Sequence, residues 1–425
     1  MKLRTKISID KYCGTPTVFI LNAISLFFLH FKKEKNDNFS AIKRIVVCKF
    51  MGMGSIIQSS PLLLTLRINF PEAEIIFLTV PKNRELIKTF PFIDRTSIID
   101  DRSITSLFTS TFITLFRFVI NKPDIFIDME IYSYFSTIIN VLTFPKYKIG
   151  FYRKETRLQL GVYSKMIFFN TKAPVKYIYL QAAFLLKCKT IINELYDYKS
   201  LFEYKPQVIL NRINELIDLT REIIVINPNS SDLRIERKWQ PDKYVSLINA
   251  ILDSYPENQI VLTGSGEEKN YVDSIFNAVR EDHHFKVINT AGMLSFEELI
   301  FLIQKSCLMI TNDSGPMHIA FALEKKTIAL FGPCSPIEYS TQQNVHFIYK
   351  NIYCSPCVHH FSISPCNGNN QCMKLIATEE VFSIVEKALN NKTDWNSNHS
   401  DNGIIYNISG SDIPFGLVDR KTNLL

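Results

Sequence analysis

Apolar residues fall in short runs bounded by turn-forming residues, and most of these runs are separated by segments with helical spacing. Ile42-Lys43-Arg44-Ile45-Val46-Val47-Cys48-Lys49 has the near-continuous apolar character of a strand buried on both faces of a parallel sheet. A glycine-containing turn follows, and then an apolar pattern from about Ile56 to Asn69 that predicts a helix. Further strands are predicted at Glu74–Val80, Asp124–Asp128 and Tyr147–Phe151. Residues 171 to 218 are mostly helical and charged, as a junction would be. Alternation restarts at Glu222–Asn227 and continues through Gln259–Thr263, Lys286–Asn289, Cys307–Thr311 and Thr327–Phe331. Strands alternating with helices imply parallel sheets covered on both faces, so the fold class is α/β with two doubly wound, Rossmann-like domains. The expected divisions are an N-terminal extension (1–40), a first domain (41–215), a second domain (216–392) and a polar tail (393–425).

Length and composition agree with two domains, since 425 residues at 46% hydrophobic can build two ordinary cores. The net charge of +7 suits anionic small molecules or an anionic membrane surface. It is too diffuse to indicate nucleic acid, and basic runs such as Lys32-Lys33-Glu34-Lys35 lack interleaved aromatics. The longest apolar stretch, Val18 to Phe31, is interrupted by Asn22, Ser25 and His30 and falls short of the roughly 20 residues that span a bilayer. It also lacks the flanks of a signal peptide, which predicts a cytoplasmic protein. On a helix, Phe19, Ile20, Phe27, Phe28 and Phe31 cover one broad side ahead of Lys32, Lys33 and Lys35. That pattern fits a peripheral, interfacial membrane anchor, and equally a helix packed on the protein's own surface.

Chemistry concentrates in Thr311-Asn312-Asp313-Ser314-Gly315-Pro316-Met317-His318-Ile319-Ala320, which follows an apolar strand. Ligands of doubly wound sheets bind at the carboxyl ends of strands. Here Asp313 or Ser314 can cap the next helix, Gly315 permits close approach, and unpaired amides at the helix start attract an anion such as a diphosphate. His318 lies one turn further on. By itself the segment could be only a capped turn with a satisfied histidine. Two neighbours at strand ends weigh against that: Asn227-Pro228-Asn229-Ser230-Ser231, with Arg237-Lys238-Trp239 beyond it, and Gly264-Ser265-Gly266-Glu267-Glu268, whose acid can accept from a ribose.

With these segments in view, residues 42 to 390 resemble the glycosyltransferase family that includes the bacterial lipopolysaccharide heptosyltransferases (family 9). The resemblance is carried by Thr311–His318, by Arg237-Lys238-Trp239 with Pro241, by Phe331-Gly332-Pro333, and by the turn from Lys49 to Pro61. It implies a GT-B fold with an interdomain cleft, and an inverting, metal-independent transfer from an ADP-linked sugar that requires no cofactor. It also implies a lipopolysaccharide core or another lipid-linked saccharide as acceptor. By motif position Ser230 and Ser231 would meet the phosphates, Arg237 or Lys238 would neutralise them, and Glu267 or Glu268 would hold the ribose. Asp313, Ser314, Gly315 and His318 would surround the sugar and diphosphate.

One residue departs from the family pattern. The first turn of the heptosyltransferases ends in Gly-Asp, and that aspartate looks like the base, whereas here Lys49-Phe50-Met51-Gly52-Met53-Gly54-Ser55 puts Ser55 in its place. A serine hydroxyl is not a base unaided near neutrality. Lys49, Gly52 and Gly54 are expected to shape the acceptor loop. Glu130, then Asp128, are the expected substitute bases, each with the alternative of a solvated loop acid or a helix cap. Otherwise a donor phosphate or a water relay takes the proton, or the protein only binds. The competing readings are therefore an inactive nucleotide-sugar-binding subunit of an envelope glycan assembly complex and a sugar-nucleotide epimerase of related architecture. Finally, Cys354, Cys357, Cys366 and Cys372 lie close together beside His359 and His360, a grouping that can form a structural zinc site.

Overall fold

The computed structural model describes residues 3–29, 39, 41–131, 133–153, 158–203, 206–230, 234–358, 364 and 366–390. Among these the chain forms two compact units that part between Glu194 and Leu195, ahead of the junction expected at 215–216. Packing explains the earlier division. Leu195 joins the cluster of Met317, Phe321 and Phe331, and the helix Pro206–Asn214 lies on the helix Phe296–Lys305, so the part of the charged helical segment from Leu195 onward belongs to the second unit.

The first unit opens with α1 (Leu3–Ile9), a π-helical turn (Asp10–Gly14) and α2 (Thr15–Leu29). Its sheet then alternates as β1 (Arg44–Cys48), α3 (Met53–Gln58), α4 (Ser60–Asn69), β2 (Glu74–Thr79), α5 (Arg84–Lys88), β3 (Arg95–Ile98), α6 (Ile104–Ile120), β4 (Ile125–Asp128), α7 (Tyr134–Leu142), β5 (Tyr147–Tyr152) and β6 (Lys165–Phe168), before α8 (Val175–Leu185). The order is β3-β2-β1-β4-β5-β6, every pair parallel. Cys48 pairs with both Leu78 and Asp128, so the loops after β1, β2 and β4 leave the sheet side by side. The single helix expected over 56–69 is two, α3 and α4, meeting at Ser59 just ahead of Pro61, whose ring cannot continue the backbone hydrogen bonding.

The second unit holds α9 (Pro206–Asn214), β7 (Ile223–Asn227), α10 (Pro241–Ser254), β8 (Gln259–Leu262), α11 (Lys269–Ala278), β9 (Val287–Asn289), α12 (Phe296–Lys305), β10 (Leu308–Asn312), α13 (Gly315–Ala322), β11 (Thr327–Phe331), β12 (Val345–Tyr349), α14 (Gln371–Lys374) and α15 (Thr378–Leu389). Its strand order is β12-β11-β10-β7-β8-β9, again all parallel. Thr311 pairs with Asn227, which sets the turns after β7 and β10 next to each other.

In α2, Val18 is buried while Phe19, Ile20 and Ile24 are exposed. Asn22 faces the protein and accepts a hydrogen bond from the Gly161 amide at 2.7 Å, so the polar positions of this helix include an inward contact. His30 to Lys35 and the 393–425 tail lie outside the described residues. No described helix is long and apolar enough to cross a membrane.

Candidate active site

In the second unit three asparagines at strand ends build the frame. Asn312 ends β10 fully buried: its Oδ1 accepts from the Trp239 amide (3.3 Å) and the Tyr244 hydroxyl (3.0 Å), and its Nδ2 donates to the carbonyls of Pro228 (2.9 Å) and Asn229 (3.3 Å). Asn227 Nδ2 donates to Ser314 Oγ at 2.8 Å and Thr311 Oγ1 at 3.3 Å. Asn229 Nδ2 reaches the Thr263 carbonyl at 2.9 Å. A Cβ on Gly264 would stand 2.9 Å from that same nitrogen, so glycine is required where the β8 turn closes on the β7 turn. These shared hydrogen bonds fix one arrangement of the turns, with Asn229 Oδ1 and Thr263 Oγ1 left buried without a partner among the described residues.

That arrangement determines what α13 offers. Ser314 occupies the N-cap position in extended geometry, but its hydroxyl makes no cap hydrogen bond because Asn227 and Thr311 engage it. Gly315 and Pro316 open the helix, and the amide-rich end follows the Asn312 frame directly. Asp313 pairs with Arg237 at 3.4 Å. Burial works against the Arg237 charge, but Asp313 together with Cys334, Tyr339 and Glu338 more than offsets it and raises Arg237 above its usual range. His318 is buried against Tyr339 (ring centroids 4.8 Å apart), and burial lowers its imidazole to about 4, so it is neutral near pH 7.

The open pairs separate. Arg237 stands beside Asp313, whereas Lys238 lies over the Tyr271 ring at 4.1 Å. Glu268 accepts from the Ser265 amide at 2.8 Å in a capping box, while the Glu267 side chain is exposed on the same turn. Ser230 is buried and donates to the Arg234 carbonyl at 3.2 Å. Ser231 lies outside the described residues.

In the first unit the Lys49–Ser55 turn is clamped from two strands. Glu130, just past β4, accepts with Oε1 from the amides of Phe50 (2.6 Å) and Met51 (2.8 Å), and its Oε2 meets Lys49 Nζ at 3.3 Å. Burial disfavours the Lys49 ammonium, yet Glu130, Tyr179 and Asp128 together outweigh it and raise Lys49. From β2, Thr79 Oγ1 donates to the Lys49 carbonyl (2.6 Å), and from the turn after it Asn83 Nδ2 donates to the Phe50 carbonyl (2.9 Å). Gly52 has φ +88°, a left-handed geometry that favours glycine, and Gly54 and Ser55 lie in the first turn of α3. Asp128 is fully buried, accepts from the Tyr163 hydroxyl at 2.6 Å, and is raised by burial to about 7. Both expected substitute bases are therefore already engaged: Glu130 holds the loop, and Asp128 lies beneath it.

A sequence model of glycosyltransferase family 9 (heptosyltransferase) matches residues 121–366. The chain belongs to glycosyltransferase family 9. This family 9 chain is 27% identical over 216 residues to lipooligosaccharide heptosyltransferase 2 of Campylobacter jejuni serotype O:6, a match spanning 50% of the chain and 63% of that relative. To the same-named protein of serotype O:2 it is 24% identical over 343 residues, 80% of the chain and 96% of the relative. In fold it is similar to the ADP-heptose LPS heptosyltransferase II of E. coli, with TM-score 0.63 and 19% identity over 82% of this chain and 99% of that one. The fold is GT-B, and the family 9 enzyme is a glycosyltransferase.

Several residues of the site have no motif to announce them. Asn227, Asn229 and Asn312 carry the donor-side frame, and polar side chains at the ends of buried strands are their only sequence signal. Tyr163, Thr79 and Asn83 hold the first-unit turn from distant segments. Asp10 accepts from the amides of Tyr134 (3.0 Å) and Phe135 (2.6 Å), capping α7 from outside its own helix. The four clustered cysteines line one cavity of about 70 Å³ with Glu236 and Asn370. Among the described residues no three His, Cys, Asp or Glu side chains form a metal-ligand group, and burial pushes Cys372 up to about 11, a protonated thiol. His359 and His360 fall outside the described residues.

Proposed function

We propose that the protein transfers heptose or a related sugar from an ADP-linked donor to a lipopolysaccharide core or another lipid-linked saccharide, with inversion and without a catalytic metal, at the cytoplasmic face of the membrane. The observation that carries this reading is the start of α13: the asparagine frame occupies Ser314 and leaves the helix without a side-chain cap among the described residues. Such an end suits a pyrophosphate. Arg237 is the cation beside it, neutral His318 is the neighbouring imidazole, and Glu267 is the acid on the β8 turn that we assign to the ribose. The heptosyltransferase names of the relatives and the ADP-heptose named for the E. coli neighbour support the donor assignment.

For the acceptor side we assign Glu130 and Lys49 a positioning role, since the Glu130 acceptor atoms are taken by two amides and an ammonium. The acceptor oxygen then bonds to the anomeric carbon on the face opposite the diphosphate as the bond to the donor phosphate breaks; the acceptor proton leaves through a water relay, and the departing diphosphate is stabilised electrostatically.

Thermal stabilisation across ADP-, UDP- and GDP-sugars tests the donor. At about a hundredfold excess over Kd, ADP-heptose is expected to raise Tm by about 5 °C or more, and Arg237→Ala to remove most of that rise. With acceptor extract, ADP release should follow. No response to any ADP-linked sugar would overturn the donor assignment.

A further inference from the structure

Surface helices normally turn their polar side to water. Helix α6 instead carries apolar side chains on its outer side as well as its inner one, where Phe118, Leu107 and Leu115 pack into the core. Ile104, Phe108, Phe112, Phe116 and Ile120 recur at every fourth position and all are exposed, with Ile113 and Val119 beside them, while Thr114 and Phe118 face inward. Phe108 is 68% exposed, Phe112 72% and Phe116 59%. At roughly 200 Å² per phenylalanine side chain these three alone present about 400 Å² of apolar surface, already the size of an interaction patch.

A second apolar face lies on α2. Helix α7 is in contact with both α6 and α2, and α2 exposes Phe19, Ile20 and Ile24. Lys6 of α1 forms an ion pair with Asp101 just ahead of α6, tying the N-terminal helices to that end of the face. Arg117 is exposed on α6 itself, Lys122 is exposed two residues after its end, and Lys11 and Tyr12 are exposed in the turn between α1 and α2. Exposed cations and a tyrosine on or next to helices that expose apolar rings suit a lipid–water boundary.

Charge decides between occupants. Residues 1–194 carry 28 Lys and Arg against 14 Asp and Glu, whereas residues 195–425 carry 20 against 27. The excess of positive charge is thus confined to the unit that bears the apolar face, where a second copy of the same face would be repelled and an anionic surface attracted. We propose that the apolar faces of α6 and α2 form a docking surface for an anionic lipid bilayer, with the α6 phenylalanines inserted at its interface.

The proposal requires no donor or acceptor, so its failure would leave the transfer reading intact. Full-length protein is sedimented with phosphatidylglycerol-containing vesicles and with pure phosphatidylcholine vesicles. Binding to the former is expected to be at least tenfold tighter, weakened by high salt, and reduced at least tenfold by combined Phe108→Ser, Phe112→Ser and Phe116→Ser. A separate Phe112→Trp variant, which keeps an aromatic ring, should show blue-shifted emission on anionic vesicles relative to the parent protein. Undiminished binding by the triple variant, or an unshifted Phe112→Trp spectrum, would overturn the proposal. So would a protein that ignores vesicles and self-associates through these phenylalanines, as judged by analytical ultracentrifugation.

Discussion

Two neighbouring carboxylates play different physical parts. Glu130 is an ion-pair and amide clamp, and removing its charge leaves buried Lys49 without its carboxylate, at a cost of about 3–5 kcal/mol. Glu130→Gln should therefore lower the denaturation midpoint substantially while reducing kcat by roughly tenfold. A loss beyond about a thousandfold with unchanged stability would instead identify Glu130 as the base. Asp128 responds to pH. Its native value is raised to about 7 from 3.8, so between those values the folded chain retains a proton that the unfolded chain has released. Stability must fall as pH rises through this window and level off above it. Asp128→Asn removes the titration, so the stability of the variant relative to the parent should grow by a few kcal/mol between pH 4 and pH 8. A pH-independent difference in urea midpoints would refute the assignment.

Among elements, α7 shows how the N-terminal segment is joined to the sheet. Ser133 at its N-cap accepts from the Ser136 amide, and Asp10 takes two further amides from outside. Capping groups of this kind contribute about 1 kcal/mol, so Asp10→Ala should cost about that in urea unfolding and speed amide exchange in α1 and α2, while Asp10→Asn should retain most of the cap. The legibility of the elements follows a physical rule. Central strands such as β1, β7 and β11 are apolar on both faces and can be found from hydrophobic runs alone. The strands that escaped, β3, β6 and β12, all lie at sheet edges, where sequences such as Arg95-Thr96-Ser97-Ile98 keep polar groups toward solvent. The Thr311–His318 run was legible because glycine, proline and capping residues must follow a buried strand in that order. The asparagine frame was not, since its partners lie 34 to 87 residues apart in the chain and only the pairing of β7 with β8 and β10 brings them together.

At the scale of the whole molecule, each unit has its own core. Val46, Phe118 and Phe126 centre one in the first unit, and Trp239, Tyr244 and Ile310 another in the second. The residues assigned to the donor all lie beyond Leu195, so a nucleotide should stabilise only the second unit by mass action. The chain supplies a probe for this, because both of its tryptophans, Trp239 and Trp395, lie beyond residue 194, and Trp239 is fully buried in the second core. Tryptophan emission on heating should therefore follow the second unit alone, while far-ultraviolet circular dichroism follows both. Adding ADP-heptose should move the fluorescence transition upward and split the dichroism curve into a shifted and an unshifted part. If both probes gave one coincident transition that moved as a whole with nucleotide, the units would be unfolding as a single cooperative body, and the confinement of donor stabilisation to residues beyond 194 would be wrong.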